Sequence, residues 1–262
     1  MKLSAAVLTG VAVFASGVAA HQVHGMLLVN GTESPRWKYV RDVASQWPYG
    51  PWDYPEGSDF PKTPPQTDIY STNITCGRLA FASAATTETA DVLAGSEVGF
   101  RVSWDGDGEY GVFWHQGPAQ IYLSRAPNDD ITNYAGDGDW FKIAYAGPVN
   151  NNKWLLWPNE HEWNFTIPKT TPPGKYLMRI EQFMATYVPD YTQWYVNCAQ
   201  INIIGPGGGT PTGFARFPGT YDNKDPGIFV PKNQWVNGGA VPDDEMRLLE
   251  YKAPGPAVWT GE

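Results

Sequence analysis

The sequence is poor in charged side chains and in helical pattern, and each shortage excludes a class of protein. Charged residues make up 17% of the 262 residues and aromatic residues 14%, a balance that excludes an intrinsically disordered chain. Only 18 basic residues stand against 27 acidic ones, so neither nucleic acid nor an anionic membrane surface is an expected partner. No segment keeps a helical period, and 28 glycines and 23 prolines argue against a helical bundle.

Alternating apolar side chains predict β-strands instead. The segments with this period are 97–104, 119–125, 163–167, 176–183 and 194–204. Clusters of Gly, Pro and Asp separate them and predict turns. Short strands at this spacing are typical of an all-β sandwich of the immunoglobulin or fibronectin type III kind.

Two long stretches do not alternate. Residues 35–65 contain seven prolines and six Trp or Tyr residues, and the segment from residue 205 onwards is punctuated by Gly and Pro. Their aromatic content favours long irregular loops packed on the sandwich over disorder. No repeat or linker interrupts the chain, so we expect residues 21–262 to form a single domain.

The first twenty residues predict a secretory signal peptide. A basic start at Lys2 precedes an apolar run, and the small residues Ala19 and Ala20 suit the cleavage site. The run is shorter than a membrane-spanning helix, and no stop-transfer charges follow it. Cleavage after Ala20 would release an extracellular protein that begins at His21. The alternative is a buried N-terminal helix.

Secretion affects how the cysteines and sequons are interpreted. Cys76 and Cys198 are the two cysteines, and an oxidising compartment favours one disulfide between them over two buried thiols. Asn-X-Ser/Thr sequons begin at Asn30, Asn73 and Asn164, and each is a candidate for N-glycosylation.

A histidine at the mature N-terminus could chelate a metal through its α-amine and its ring together. With His21 in that place, one further imidazole would complete three nitrogens in the tetragonal arrangement that copper(II) prefers. His115, just before the strand at 119–125, is the natural second ligand. A frayed terminus and an ordinary hydrogen-bonded His115 are the alternatives. On an extended strand His24 would face away from His21, and His161 lies in a polar stretch that predicts an exposed loop.

The chain resembles the fungal lytic polysaccharide monooxygenases of auxiliary activity family 9 along nearly all of its length after residue 20. The matching pieces, in order, are His21, HQGPAQIYL from His115, PGKYLMRIE ending at Glu181, QWYVNCAQIN from Gln193, and PGTYDNKDPGI from Pro218. The resemblance also implies a disulfide between Cys76 and Cys198.

This resemblance implies a role for each matching residue. His21, through its amine and ring, and His115 would hold one copper ion in a histidine brace. Tyr195 would occupy the axial position and Gln193 would hydrogen-bond the activated oxygen. Both lie on one face of a strand because they are two residues apart. Tyr221 would belong to the flat sugar-binding surface. Without the resemblance, Tyr195 would be interpreted as a core aromatic.

The implied activity is oxidation of C1 or C4 in a β-1,4-glucan such as cellulose, with O2 or H2O2 and an external electron donor. The protein would act as a secreted monomer on insoluble or oligomeric glucan. Further aromatic residues that could extend the sugar-binding surface are Trp37, Trp47, Tyr49, Trp52, Tyr54, Tyr187 and Tyr191.

One departure from the family pattern leaves an alternative open. The family commonly has a histidine shortly after its Arg-x-Glu element that helps to protonate the oxygen species. The corresponding position here is near Thr186, or Met184 if the alignment shifts, and residues 182–186 contain no histidine. A threonine is no acid near neutral pH. The alternative is therefore a non-catalytic secreted protein that binds copper or carbohydrate and keeps the brace. A hydrolase is disfavoured because no pair of acidic residues lies in a recognisable catalytic frame.

Overall fold

A computed structural model describes residues 21–46, 57–103, 111–235 and 240–262. The predicted signal peptide and the aromatic residues Trp47, Tyr49, Trp52 and Tyr54 lie outside these ranges. Within them, the structure has no helix that combines the length and the apolar character needed to cross a membrane.

Most of the regular structure is β-strand. The strands are β1 (Met26–Val29), β2 (Thr32–Glu33), β3 (Ala90–Leu93), β4 (Glu97–Arg101), β5 (Ala119–Arg125), β6 (Trp140–Ala146), β7 (Pro148–Asn150), β8 (Lys153–Trp154), β9 (Glu162–Thr166), β10 (Gly174–Met184), β11 (Gln193–Ile204) and β12 (Phe214–Ala215). One short α-helix, α1, spans Asn73–Cys76. Single turns of 3₁₀ helix lie at Phe60–Lys62, Ala80–Ser83, Pro127–Asp129, Ile131–Asn133, Lys232–Gln234, Asp243–Glu245 and Leu248–Glu250.

The strands form two main sheets. The smaller sheet has the order β2-β1-β4-β9 and the larger one has the order β12-β6-β5-β10-β11-β3. All neighbouring pairs are antiparallel except β11 and β3, which are parallel. A separate hairpin joins β7 and β8. The long central strands β10 and β11 pair over their whole length, from Gly174 opposite Ile203 to Met184 opposite Gln193.

The larger sheet is covered on both faces because its strands carry apolar residues on both. Towards the smaller sheet, Ile121 and Ile180 share a buried cluster with Leu27 and Phe100. The opposite face is covered by the loops, and its cluster includes Trp194. Each such side chain contributes about 1.5–3 kcal/mol by its burial, so the irregular loops are part of the core.

The structure confirms the all-β sandwich and the predicted disulfide. Predicted strand 119–125 coincides with β5, and the segments predicted at 163–167, 176–183 and 194–204 correspond to β9, β10 and β11 to within two residues at either end. The first predicted strand is shorter than expected, because β4 ends at Arg101. A disulfide joins Cys76 at the end of α1 to Cys198 in β11. Near the C-terminus, Trp259 packs edge-on against Phe141, as expected of an ordered loop.

Candidate functional site

Three aromatic rings from distant parts of the sequence meet at one end of the sandwich. The ring centroids of His21 and His115 lie 6.0 Å apart, those of His21 and Tyr195 6.3 Å, and those of His115 and Tyr195 5.9 Å. Both histidines are partly exposed, whereas Tyr195 is buried. The two predicted nitrogen ligands and the predicted axial tyrosine therefore form a nearly equilateral triangle that solvent can reach from the side of the histidines.

Different elements supply the three residues. His21 precedes a fully buried segment, residues 22–28, that runs into β1. His115 lies in the loop before β5, and this loop packs tightly against β10. A Cβ atom on Gly117 would lie 1.9 Å from the carbonyl oxygen of Phe183, so the close approach requires glycine. Tyr195 lies near the start of β11, opposite Gln182 of β10.

Tyr195 and Gln193 are linked on the same face of β11. The Tyr195 hydroxyl donates a 2.8 Å hydrogen bond to Oε1 of Gln193. Burial, with a smaller contribution from the nearby Tyr191, raises the pKa of Tyr195 far above its ordinary value, so the phenol stays protonated. Because Oε1 of Gln193 is the acceptor in this bond, its amide NH₂ is the group that can donate to a ligand.

The donor set fits a copper ion. Two imidazoles suit copper(II), the amine of His21 would be the third nitrogen ligand if cleavage after Ala20 frees it, and a neutral phenol is a weak additional ligand. Burial lowers the pKa of His21, which favours the neutral imidazole that a metal requires. In the described ranges no group of three His, Cys, Asp or Glu side chains is placed to hold a metal. A site with two histidines therefore depends on the amine for its third nitrogen.

The other two histidines are placed as the sequence predicted. His24 is fully buried, its ring packs 5.2 Å from that of Phe113, and burial lowers its pKa to about 3. Its backbone N–H donates to Oδ1 of Asn197. His161 is exposed, and its Nδ1 lies 2.9 Å from the carbonyl oxygen of Gly111.

The prediction that Tyr221 forms part of an exposed sugar-binding surface is wrong. Only 4% of Tyr221 is exposed, and its ring stacks on Trp194 under the loops that cover the larger sheet. Its hydroxyl donates to the buried carboxylate of Glu181 and lies 2.8 Å from the hydroxyl of Tyr122. Glu181 also forms a buried ion pair with Arg179. A buried charge requires several partners, and Tyr221 is one of them.

Thr186 is unable to replace the expected histidine through its side chain. It is buried, and its Oγ1 accepts a 3.0 Å hydrogen bond from the backbone N–H of Val188. Its backbone N–H and carbonyl bond to Ile228 and Val230. Thr186 is therefore fixed by its backbone hydrogen bonds, and its hydroxyl oxygen accepts the hydrogen bond of a turn.

The remaining candidate aromatics and sequons are spread over the molecule. Tyr191 is 53% exposed, whereas Trp37 and Tyr187 are partly buried against Lys62 and Trp235 respectively. Tyr191 is therefore the most exposed described aromatic among the predicted set. Asn30 and Asn164 are exposed, and Asn73 is partly buried. Glycan occupancy of these sequons stays a prediction.

The site also contains two buried glutamines that the sequence pattern did not indicate. Gln22 follows His21 directly, and Gln182 lies in β10 opposite Tyr195. Both contact the loop that carries His115. A glutamine in an otherwise apolar face was the only available signal, and its partners depend on strand register.

Known proteins of one family are similar to this chain along most of its length. The sequence model of Auxiliary Activity family 9 (formerly GH61) matches residues 21–238. The chain is 71% identical over 261 residues to AA9 family lytic polysaccharide monooxygenase U of Thermothielavioides terrestris, and the match covers 100% of both chains. It is 34% identical over 248 residues to AA9 family lytic polysaccharide monooxygenase C of Emericella nidulans, covering 93% of each.

Solved structures share the fold at lower identity. A cellulose-active polysaccharide monooxygenase from M. thermophila superposes with a TM-score of 0.63 at 22% identity, and the match covers 92% of this chain and 100% of that one. The extended catalytic domain of H. jecorina LPMO9A gives a TM-score of 0.65 at 21% identity, covering 92% and 94%.

Proposed function

Because the chain belongs to Auxiliary Activity family 9, a family of lytic polysaccharide monooxygenases, we propose that it is a secreted, copper-dependent monooxygenase acting on cellulose or a related β-1,4-glucan. The observation that carries the proposal is the convergence of His21, His115 and Tyr195, with all three ring centroids within 6.3 Å of one another. The family match begins at residue 21, which supports His21 as the first residue of the mature chain.

The two histidines would bind the metal that carries out the oxidation. The amine and ring of His21 and the ring of His115 would hold one copper ion, which supplies the one-electron chemistry that activates O2 or H2O2 when bound. Overall, one oxygen atom enters a C–H bond at C1 or C4 of the sugar and the other leaves as water, with electrons from an external donor when O2 is used. The hydroxylated carbon then loses its glycosidic bond.

Gln193 and Tyr195 shape the oxygen-binding side of the site. The Tyr195 hydroxyl stays protonated and bonded to Gln193, so the amide is held in one orientation. Its NH₂ group would donate a hydrogen bond to the oxygen substrate. Mutation of such outer hydrogen bonds typically costs about 10–100-fold in metal affinity or activity.

Substrate placement would use the partly exposed face that carries the two histidines. We assign Tyr191 as an aromatic platform there, because it is exposed and close enough to Tyr195 to raise the pKa of that phenol. The flat face of a tyrosine ring suits the apolar face of a pyranose. An uncharged glucan also agrees with the scarcity of basic residues.

A non-catalytic copper- or carbohydrate-binding protein is the second candidate. One observation favours it: position 186 holds a buried threonine, whose hydroxyl is not an acid near neutral pH. The two candidates share the copper site and differ only in turnover.

The decisive experiment uses protein processed to begin at His21, loaded with copper, and supplied with a reductant and cellulose. Mass spectrometry should detect aldonic acids or 4-keto oligosaccharides. Absence of oxidised products across several glucans, with tight copper binding intact, would establish the binding protein.

The copper ligands themselves need a separate test. One residue added before His21, or the variant His115→Ala, should lower copper affinity at least tenfold by removing ligands. His161→Ala is the matched control, since His161 lies in an exposed loop. Unchanged affinity in the extended protein would refute the brace.

A further inference from the structure

A ring of hydrogen bonds links the two segments that carry the histidines. The backbone N–H of Trp114 donates to Oε1 of Gln22 at 2.5 Å. Nε2 of Gln22 donates to Oε1 of Gln182 at 2.9 Å, and Nε2 of Gln182 donates to the carbonyl oxygen of His115 at 2.8 Å. The ring closes through the backbone of Trp114 and His115, from the N–H of the first to the carbonyl oxygen of the second. All donors and acceptors run in one direction, so each amide has a single satisfactory orientation.

The same ring adjoins the third aromatic residue of the site. Gln182 pairs with Tyr195 across β10 and β11 and with Ala119 across β10 and β5. Directly opposite residues of an antiparallel pair project from the same face, so Gln182 stands beside Tyr195. Each residue of the triangle therefore has one of the two glutamines beside it. Gln22 is covalently bonded to His21, and Gln182 donates to the backbone of His115 and lies opposite Tyr195.

Burial makes this ring rigid. Gln22 is 2% exposed and Gln182 1% exposed. A buried amide that loses its hydrogen-bond partner is destabilising, so both glutamines oppose rotation of either amide and displacement of the loop at His115. The Trp114 N–H and the His115 carbonyl flank the histidine that the ring fixes.

We propose that Gln22 and Gln182 are positioning residues that fix the backbone of His21 and of His115 relative to each other and thereby set the orientation of their imidazoles toward copper. This inference rests on the proposed function, since it assumes that the two histidines bind the metal. It assigns the two glutamines a role in the geometry of the metal site in addition to their packing.

The test compares the variants Gln22→Met and Gln182→Met, which keep side-chain length and remove the amide. In each, we expect the electron paramagnetic resonance spectrum of the copper(II)-loaded protein to change and copper affinity to fall about tenfold. The double variant should lose no more affinity than either single variant, because each already opens the same ring. Gln182→Glu keeps the acceptor for Gln22 but loses the donor to His115, so it should change the spectrum as Gln182→Met does.

Gln200→Met is the matched control. Gln200 is also fully buried in β11, accepts from Arg41 and donates to the carbonyl of Thr87, yet these contacts belong to another part of the sheet. It should lower thermal stability without changing the copper spectrum. If Gln182→Met does not fold, Gln22→Met decides the question, because Gln22 lies outside the strands.

The outcomes separate this inference from the proposed function. A wild-type protein without a three-nitrogen copper spectrum would overturn both. The positioning role alone would be overturned by a different result. In that case the wild type has this spectrum, and the folded Gln22→Met and Gln182→Met variants keep the same spectrum and a copper affinity within twofold of the wild type.

Discussion

Tyr195 donates its hydroxyl hydrogen to Oε1 of Gln193, two residues earlier on the same face of β11, at 2.8 Å. Through this bond the buried Tyr195 hydroxyl fixes the orientation of the Gln193 amide at the edge of the site. The effect of this orientation on activity can be measured separately from copper binding.

Tyr195→Phe should keep copper affinity within tenfold, because the three nitrogen donors are untouched. The yield of oxidised oligosaccharides should fall about tenfold, since the Gln193 amide loses the partner that orients it. Mass spectrometry of products and calorimetric copper titration measure the two effects. Tyr70→Phe, at a 61% exposed position, is the control, and equal yields in both variants would contradict the orienting role.

Thr186→His would supply the side chain that the family pattern places at this position. The larger side chain should lower the free energy of unfolding by about 1–3 kcal/mol, because residue 186 is buried. In the folded, copper-loaded variant, product formation near pH 6 to 7 should rise at least about tenfold through general acid catalysis. Thr171→His, at another buried threonine, should destabilise without this gain. Equal rates in the two variants would show that position 186 does not limit turnover.

Tyr221→Phe should act on stability alone. Loss of the hydroxyl deprives the buried Glu181 carboxylate of a donor, which should lower the free energy of unfolding by about 1–3 kcal/mol in urea titrations. Glucan binding should be unchanged, whereas Tyr191→Ala should weaken binding with little effect on stability. Weaker glucan binding in a stable Tyr221→Phe protein would restore the surface role.

Protonation of His24 should make stability depend on pH. Its pKa is lowered from 6.5 to about 3 by burial, so below pH 6.5 the unfolded chain binds a proton that the folded chain refuses. The contribution of His24 is fully present above pH 6.5 and is lost as pH falls toward 3, by about 1.4 kcal/mol per pH unit. Urea unfolding of the wild type and of His24→Gln, measured at pH 7.5 and pH 5, should show a smaller loss in the variant. Parallel losses would exclude His24 as the source.

Much of the sandwich could be predicted because alternation is a local property. The segment 119–125 alternates over its whole length, and it is the strand β5. Strand ends depend on tertiary contacts, and so β4 stops at Arg101 although apolar residues continue to alternate beyond it.

The site was predictable only where residue type carries the chemistry. His21 and His115 stand out because imidazoles are rare in this chain. Gln182 became visible only through the register that places it opposite Tyr195. The prediction for Tyr221 was wrong because a sequence does not show which face of a sheet an aromatic ring covers. Here the buried ion pair of Arg179 and Glu181 draws the Tyr221 hydroxyl to the covered face.

Burial of the segment from Gln22 to Leu28 affects how well the proposed secreted protein would resist proteolysis. If the chain is processed to begin at His21, removal of that one residue would eliminate the first proposed copper ligand. An aminopeptidase requires an extended, accessible chain end. Because residues 22–28 are all buried against the sandwich, such an enzyme could engage His21 only after this segment had detached. In the proposed extracellular protein, the packing of these seven residues would therefore slow cleavage by exopeptidases.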